Sequence, residues 1–365
     1  MYDRSAVQDL DPSVSGESWK DKVGAALRGK GRNVGLIILM AVLFGWTGAH
    51  NSNFVTVENL RVLGLAMAPF AIIGVGMTFL LISGNVDLSV GEIYALAAVI
   101  SAEFSIHMPV WLAIVLAILV GGGIGLCNGI LVWLVKMSPI IITLGSWFTL
   151  AGIDLLISHG YAVTGEPSNY TAWGNAAPLG IPMLIFVFLV CALIGAVFLS
   201  TTKQGRHIFA VGGSRDASRA AGLDVRLIVI GCFVFSGILS GLAGTLVGSE
   251  FGAPDPTYST NVVLSVITGV ILGGVSFAGG EGGVIGAMLG VAMLALIDGS
   301  IVALGIDPYY AGVVKGVILI LAVSADQFAQ VSRDRRQKAM AIREQARLEE
   351  QRQLERERVV ASRPG

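Results

Sequence analysis

Charge is what this sequence has least of. Only 13% of its 365 residues are Asp, Glu, Lys or Arg, about half the share found in an ordinary soluble domain. Of those 49 charges, 11 lie in residues 1–33 and 17 in residues 326–365, leaving 21 for the 292 residues between. With 54% hydrophobic residues and a mean hydropathy of +0.76, a soluble globular fold is excluded. The formal net charge of -1 supplies no global basic field, so nucleic-acid binding is excluded too. Cysteine is nearly absent: Cys127, Cys191 and Cys232 each stand alone inside an apolar run, without the spacing of a disulfide framework or a zinc site. No GxxxxGK[ST], HExxH or GxSxG occurs, and His50, His107, His159 and His207 are dispersed, which argues against an intramembrane enzyme and against ATP hydrolysis in this chain. A cleavable signal is not apparent, because the first apolar run begins near Val34 after a mixed-charge leader.

What is abundant is long apolar runs and glycine, 48 residues of it, the composition of an all-α polytopic membrane protein in which small residues let helices approach closely. A span of about 20 residues crosses a hydrocarbon layer of roughly 30 Å. By that ruler about ten transmembrane helices are expected, at 34–50, 62–83, 90–106, 110–134, 140–158, 182–200, 227–248, 262–278, 284–304 and 309–325. Sidedness follows from Lys and Arg, which mark cytoplasmic connections. The leader, the central loop with Lys203, Arg206, Arg215, Arg219 and Arg226, and the tail are basic, whereas 159–181 contains neither Lys nor Arg. Six spans separate the first two basic segments and four the last two, so both termini are expected in the cytoplasm. The expected organisation is a cytoplasmic leader (1–33), a transmembrane domain (34–325) containing a cytoplasmic loop (201–226), and a charged tail (326–365). In that tail the pairs Glu344/Arg347, Glu349/Arg352 and Glu355/Arg358 favour a solvated helix. A glycine-rich turn at 84–91 is echoed at 273–283, and if the two halves start on opposite sides the pattern is an inverted repeat.

Four groups of residues invite a functional reading. Ser89-Val90-Gly91-Glu92 has the form of a capping box, with Asp87 adding charge at the same helix start. Asp154, Asp298, Glu92, Glu103 and Lys315 fall in or near spans, where an ionisable group is costly and points to function; Asp298 is the one placed mid-span, with no basic residue near it in sequence, and Lys315 reads as a partner or a snorkelling residue. Gly121/Gly125, Gly237/Gly241 and Gly286/Gly290 suit helix packing. In the central loop Ser214 can cap a short helix that Gly222 ends, a docking knob for a soluble partner or simply an ordered basic loop.

The succession Gly84-Asn-Val-Asp-Leu-Ser-Val-Gly91, Asn128-Gly129, Pro139-Ile-Ile-Ile-Thr-Leu-Gly145, the central loop, Gly273-Gly274-Val-Ser-Phe-Ala-Gly279-Gly280 and Val314-Lys315-Gly316 resembles the permease subunits of ribose-type ABC sugar importers over roughly residues 35–325. The resemblance implies a pore of two permeases, whether two copies or a copy with a sister permease. It also implies a periplasmic binding protein that delivers a monosaccharide or related polyol, and a cytoplasmic ATPase dimer that binds ATP and Mg, with no cofactor in this chain. It places ATPase coupling in the segment 205–222, with Gly205, Arg206, Gly213, Ser214, Ala217, Ala221 and Gly222 as the candidate residues. Asn128 and Asp298 become candidates for the translocation pathway, and Asp87, Ser89 and Glu92 for a structural turn and cap. Glu92 and Asp298 depart from the small or hydroxyl residue and the Asn more usual there. The alternative is an ion-coupled secondary transporter with a relay through Asp298, Lys315 and Glu92.

Overall fold

The computed structural model describes residues 19–259, 261–328 and 331. By its internal contacts the chain divides into two units, Met1–Lys315 and Gly316–Gly365. The proposed tail helix lies outside the described residues.

The described residues are helical throughout their regular structure. The order is α1 (Trp19–His50), α2 (Val57–Ile82), α3 (Val90–His107), α4 (Val110–Val135), α5 (Pro139–Ser158), α6 (Ser168–Gly174), α7 (Met183–Thr201), α8 (Lys203–Gly213), α9 (Arg215–Ala220), α10 (Val225–Phe251), α11 (Val262–Leu272) and α12 (Val284–Ala303), followed by α13 (Tyr310–Phe328). Among the described residues nine helices are long and apolar enough to cross a membrane. The eighth expected span is shorter than its apolar run suggests. α11 ends at Leu272, about 16 Å of helix, because Gly273-Gly274 stops it, Gly274 taking φ +89°. The remaining residues to Gly283 form a loop.

α10 is the hub. Its Gly237 and Gly241 face Gly121, Ala117 and Ile118 of α4 so closely that a Cβ at Gly237 would overlap the Gly121 carbonyl. The same closeness joins Gly244 to the backbone of Tyr94 on α3, and Gly76 of α2 to Ser236. α11 and α12 repeat the device, with Gly273 and Gly269 against Gly286, Gly290 and Val291. The small-residue pairs seen in sequence are thus packing surfaces, as lipid-embedded helices require where burial of apolar area supplies no drive. α2 from Ala68 onward and most of α3 are buried, whereas α5 and α7 bury only narrow stripes and leave residues such as Phe148, Leu156 and Leu193 outward.

The two ends of α10, about 40 Å apart, carry different coverings. At the Phe251 end the Lys/Arg-free connection folds back as α6: Gly174 N donates to Ser249 Oγ at 2.7 Å, and Ser249 Oγ donates to the Tyr170 carbonyl. At the Val225 end lie α8 and α9. There the two glycine turns meet, since Gly280 N donates to Ile82 O at 2.8 Å and a Cβ at Gly279 would press on Gly84. The pairs α2/α3 and α11/α12 therefore both turn at the same end and run in the same sense. An inverted repeat would set these turns at opposite ends, so this pairing corrects that expectation.

Candidate functional site

The basic connection between α7 and α10 is two capped helices. Thr202 caps α8 by accepting from Gly205 N at 3.0 Å, and Ser214 caps α9 by accepting from Ala217 N at 3.2 Å. Gly222, at φ +82°, follows the last turn of α9, so the start and stop read from sequence describe this helix. α8 is amphipathic: Gly205, Ile208 and Val211 are buried, while Lys203, Gln204 and Arg206 are exposed. Gly205 has no room for a side chain beneath the Phe198 and Leu199 carbonyls, so it seats α8 under α7 and is not offered to a partner. Gly212 is held as tightly between the Ile82 carbonyl and Gly280. On α9, Ser218 is buried and Gly213, Ser214, Ala217, Ala221 and Gly222 are exposed. Small side chains thus form an open patch on a segment whose other side is fixed to the membrane helices.

Two arginines fix it. Arg219 stands over the Trp133 ring of α4 at 5.5 Å and pairs with Asp216 at 3.2 Å, a surface contact of little energetic weight. Arg215 reaches into the α2–α3 turn, donating to Asn85 Oδ1 at 2.8 Å and to the Gly84 carbonyl at 3.3 Å. Asn85 lies 130 positions away in sequence, and nothing local in the chain signals this contact.

Beyond Asn85 the turn runs into a buried polar cluster. Asp87 Oδ1 accepts from Ser89 N at 2.8 Å and from Ser89 Oγ at 2.6 Å. Asn128 Nδ2 of α4 donates to Ser89 Oγ at 2.9 Å, and Ser146 Oγ of α5 donates to Asn128 Oδ1. Thr143 Oγ1 accepts from Leu88 N at 3.0 Å. Two helices and the α2–α3 turn are tied by side chains that the sequence shows only in part: Asn128, Asp87 and Ser89 were candidates, Thr143 and Ser146 were not, although both lie on one face of α5 at i, i+3. The capping box is not formed. Ser89 makes no cap bond to α3, because its hydroxyl is engaged by Asp87 and Asn128; Asp87 instead holds the Ser89 N–H. Glu92 is buried on α3.

Asp298 belongs to a different group. Its Oδ2 lies 2.6 Å from Lys315 Nζ, beside a cavity of about 400 Å³ between α2 and α12. Asn128 and Asp298 are therefore not brought together. Among the described residues no three His, Cys, Asp or Glu side chains form a metal-binding group.

The chain matches the family model described as "Branched-chain amino acid transport system / permease component" over residues 60–323, which takes in the turns, the capped helices and both polar groups. It belongs to this permease family. The permease is 33% identical over 300 residues to the ribose import permease protein RbsC of Haemophilus influenzae, covering 81% of this chain and 92% of the relative. It is 34% identical over 297 residues to the L-arabinose transport system permease protein AraH of Escherichia coli, covering 81% and 90%, and 31% identical over 296 residues to the D-allose transport system permease protein AlsC of Escherichia coli, covering 80% and 91%. No solved structure gives a significant match. With its apolar helices, the permease is a multi-pass protein of the inner membrane and a transport component.

Proposed function

We propose that this permease is the membrane subunit of a binding-protein-dependent ABC importer that moves a monosaccharide or related polyol. It works beside a second copy or a sister permease, with ATP and Mg bound by separate cytoplasmic ATPase subunits and substrate delivered by an extracytoplasmic binding protein. The observation that carries this reading is the α8–α9 segment: an open patch of small residues outside, and inside it a rigid link through Arg215 to the α2–α3 turn. A soluble motor seated on Ala217 and Ala221 would move α9. Arg215 would carry that displacement to Asn85, and the hydrogen bonds of Ser89, Asn128 and Ser146 would then exchange partners. Hydroxyl and amide groups that trade hydrogen bonds at small net cost suit a polyol, whose hydroxyls both donate and accept.

The ion-coupled alternative has less support. Its relay needs Asp298, Lys315 and Glu92 in sequence, yet the first two neutralise each other and Glu92 lies on α3, which does not line the cavity beside them.

The test is Ala217→Glu and Ala221→Glu. Each adds a carboxylate that is harmless in water but costs several kcal/mol when buried without a partner. At least one variant is expected to insert and fold normally while losing ATPase co-purification and substrate-stimulated hydrolysis. Normal assembly and normal coupled hydrolysis in both would overturn the assignment of this segment.

A further inference from the structure

The Asp298–Lys315 cavity lies at the end of the bundle away from α8 and α9: α2 lines it with its first turns, while its last residue, Ile82, meets Gly280 at the other end. Its walls are apolar, formed by Val62, Ala66, Met67 and Phe70 of α2 and by Leu294 and Val302 of α12. At its mouth Asn51 Nδ2 donates to the Ala303 carbonyl and Asn59 Nδ2 to the Phe54 carbonyl, each at 2.8 Å, and Asn53 also lines it. Asp298 and Lys315 have spare capacity. Asp298 Oδ1 is enclosed and has no hydrogen-bond partner, but Oδ2 on a side chain that is 39% exposed can accept beyond its Lys315 contact, and an ammonium has three donors, of which that contact takes one.

Depth and charge narrow the ligand. Asp298 is five residues before Ala303, the last residue of α12, so it sits about 7–8 Å inside the helix end, within reach of the headgroup layer that flanks the hydrocarbon. An adjacent carboxylate and ammonium complement a ligand that carries both charges itself, a phosphate to face Lys315 and an ammonium with N–H donors to face Asp298. A net anion would be repelled by Asp298, and a monosaccharide would leave most of the apolar wall wet. We propose that this cavity is a binding site for a zwitterionic phospholipid with a primary-ammonium headgroup, its acyl chain in the α2–α12 trough and its headgroup on the Asp298–Lys315 pair. The site is separate from the coupling segment, and its occupancy does not depend on what the permease transports.

The experiment uses the purified, delipidated full chain titrated with dioleoyl phosphatidylethanolamine or dioleoyl phosphatidylglycerol, with retained lipid counted by native mass spectrometry. The wild type is expected to retain one phosphatidylethanolamine about tenfold more tightly than phosphatidylglycerol, the size of one charge-assisted contact. Asp298→Asn should remove that preference, whereas Lys315→Gln should lower retention of both lipids, since both carry the phosphate that Lys315 faces. Ala66→Trp, which fills the trough and leaves the charges in place, should lower retention of both lipids; it decides the matter if either charge variant fails to fold. Equal retention of the two lipids by the wild type, unchanged retention in Ala66→Trp, or displacement of the lipid by millimolar pentose would each overturn the proposal, the last by showing a polyol site.

Discussion

Two polar groups in this permease, one sealed around Asp87 and one half-open around Asp298, solve the same problem differently. Around Asp87 one carboxylate oxygen, Oδ1, takes two donors that lie close in the chain, Ser89 N–H and Ser89 Oγ–H, while Oδ2 is buried without a partner, and Ser89 is steadied by neutral side chains on two other helices, Asn128 and Ser146. Around Asp298 the neutralising group is a full charge, Lys315, from beyond the next connection. The first arrangement can exchange hydrogen bonds without separating charges. The second must keep its two charges together or hand them to an equally charged ligand. That difference favours motion at the Asp87 group and a fixed or ligand-bound state at Asp298.

The largest effect that would break the comparison is expected at neither group, but at the junction beneath the first. Gly212→Val sets side-chain atoms against the Ile82 carbonyl and Gly280, where only backbone can move. It should cost more than about 4 kcal/mol and yield no monodisperse protein on size exclusion. Next in size is the neutral network. Asp87→Leu strands the Ser89 donors and should lower stability by about 2–3 kcal/mol, whereas Asp87→Asn keeps an acceptor at Oδ1 and should stay within about 1 kcal/mol. Thermal unfolding in detergent distinguishes the two, and equal losses would mean that the charge itself holds the turn.

Lys315→Met should cost less than Asp87→Leu, about 1–2 kcal/mol. The Lys315 and Asp298 side chains are 22% and 39% exposed, and solvent takes over part of the lost attraction. A loss as large as that of Asp87→Leu would erase the contrast between a sealed and a half-open group. Gly213→Ala is the smallest change. It adjoins Gly212 but meets nothing within 4 Å, so the helix preference for alanine should leave stability unchanged or raise it by up to about 1 kcal/mol. A loss like that of Gly212→Val would show that the whole end of α8, not one close contact, is intolerant.

Much of this architecture can be read from the chain directly. Apolar length locates nine spans, and glycines spaced four apart mark the faces of α4, α10 and α12 that touch. Ser214 and Gly222 mark the start and end of α9 because caps are local contacts within a few residues. Local rules misled at two places. The Ser89–Glu92 spacing allows a capping box, but the hydroxyl has better partners in Asp87 and Asn128, and a side chain has only so many bonds to give. The run from 262 to 278 is apolar enough for a span, yet Gly273-Gly274 ends the helix and the backbone turns toward Ile82.

The sequence by itself determines that this chain lives in a membrane, where its helices lie along it, and which end of the bundle carries the basic connection. Those properties are sums over neighbouring residues: transfer free energy, helix length and charge per loop. Only the tertiary structure decides that Arg215 meets Asn85, that Asn128 joins Ser89 to Ser146, and that Asp298 meets Lys315 beside an apolar trough. Each of these contacts joins separate helices or turns, and a hydrogen bond or ion pair depends on ångström-scale placement that close packing at Gly121, Gly212, Gly237 and Gly273 sets and local propensity does not.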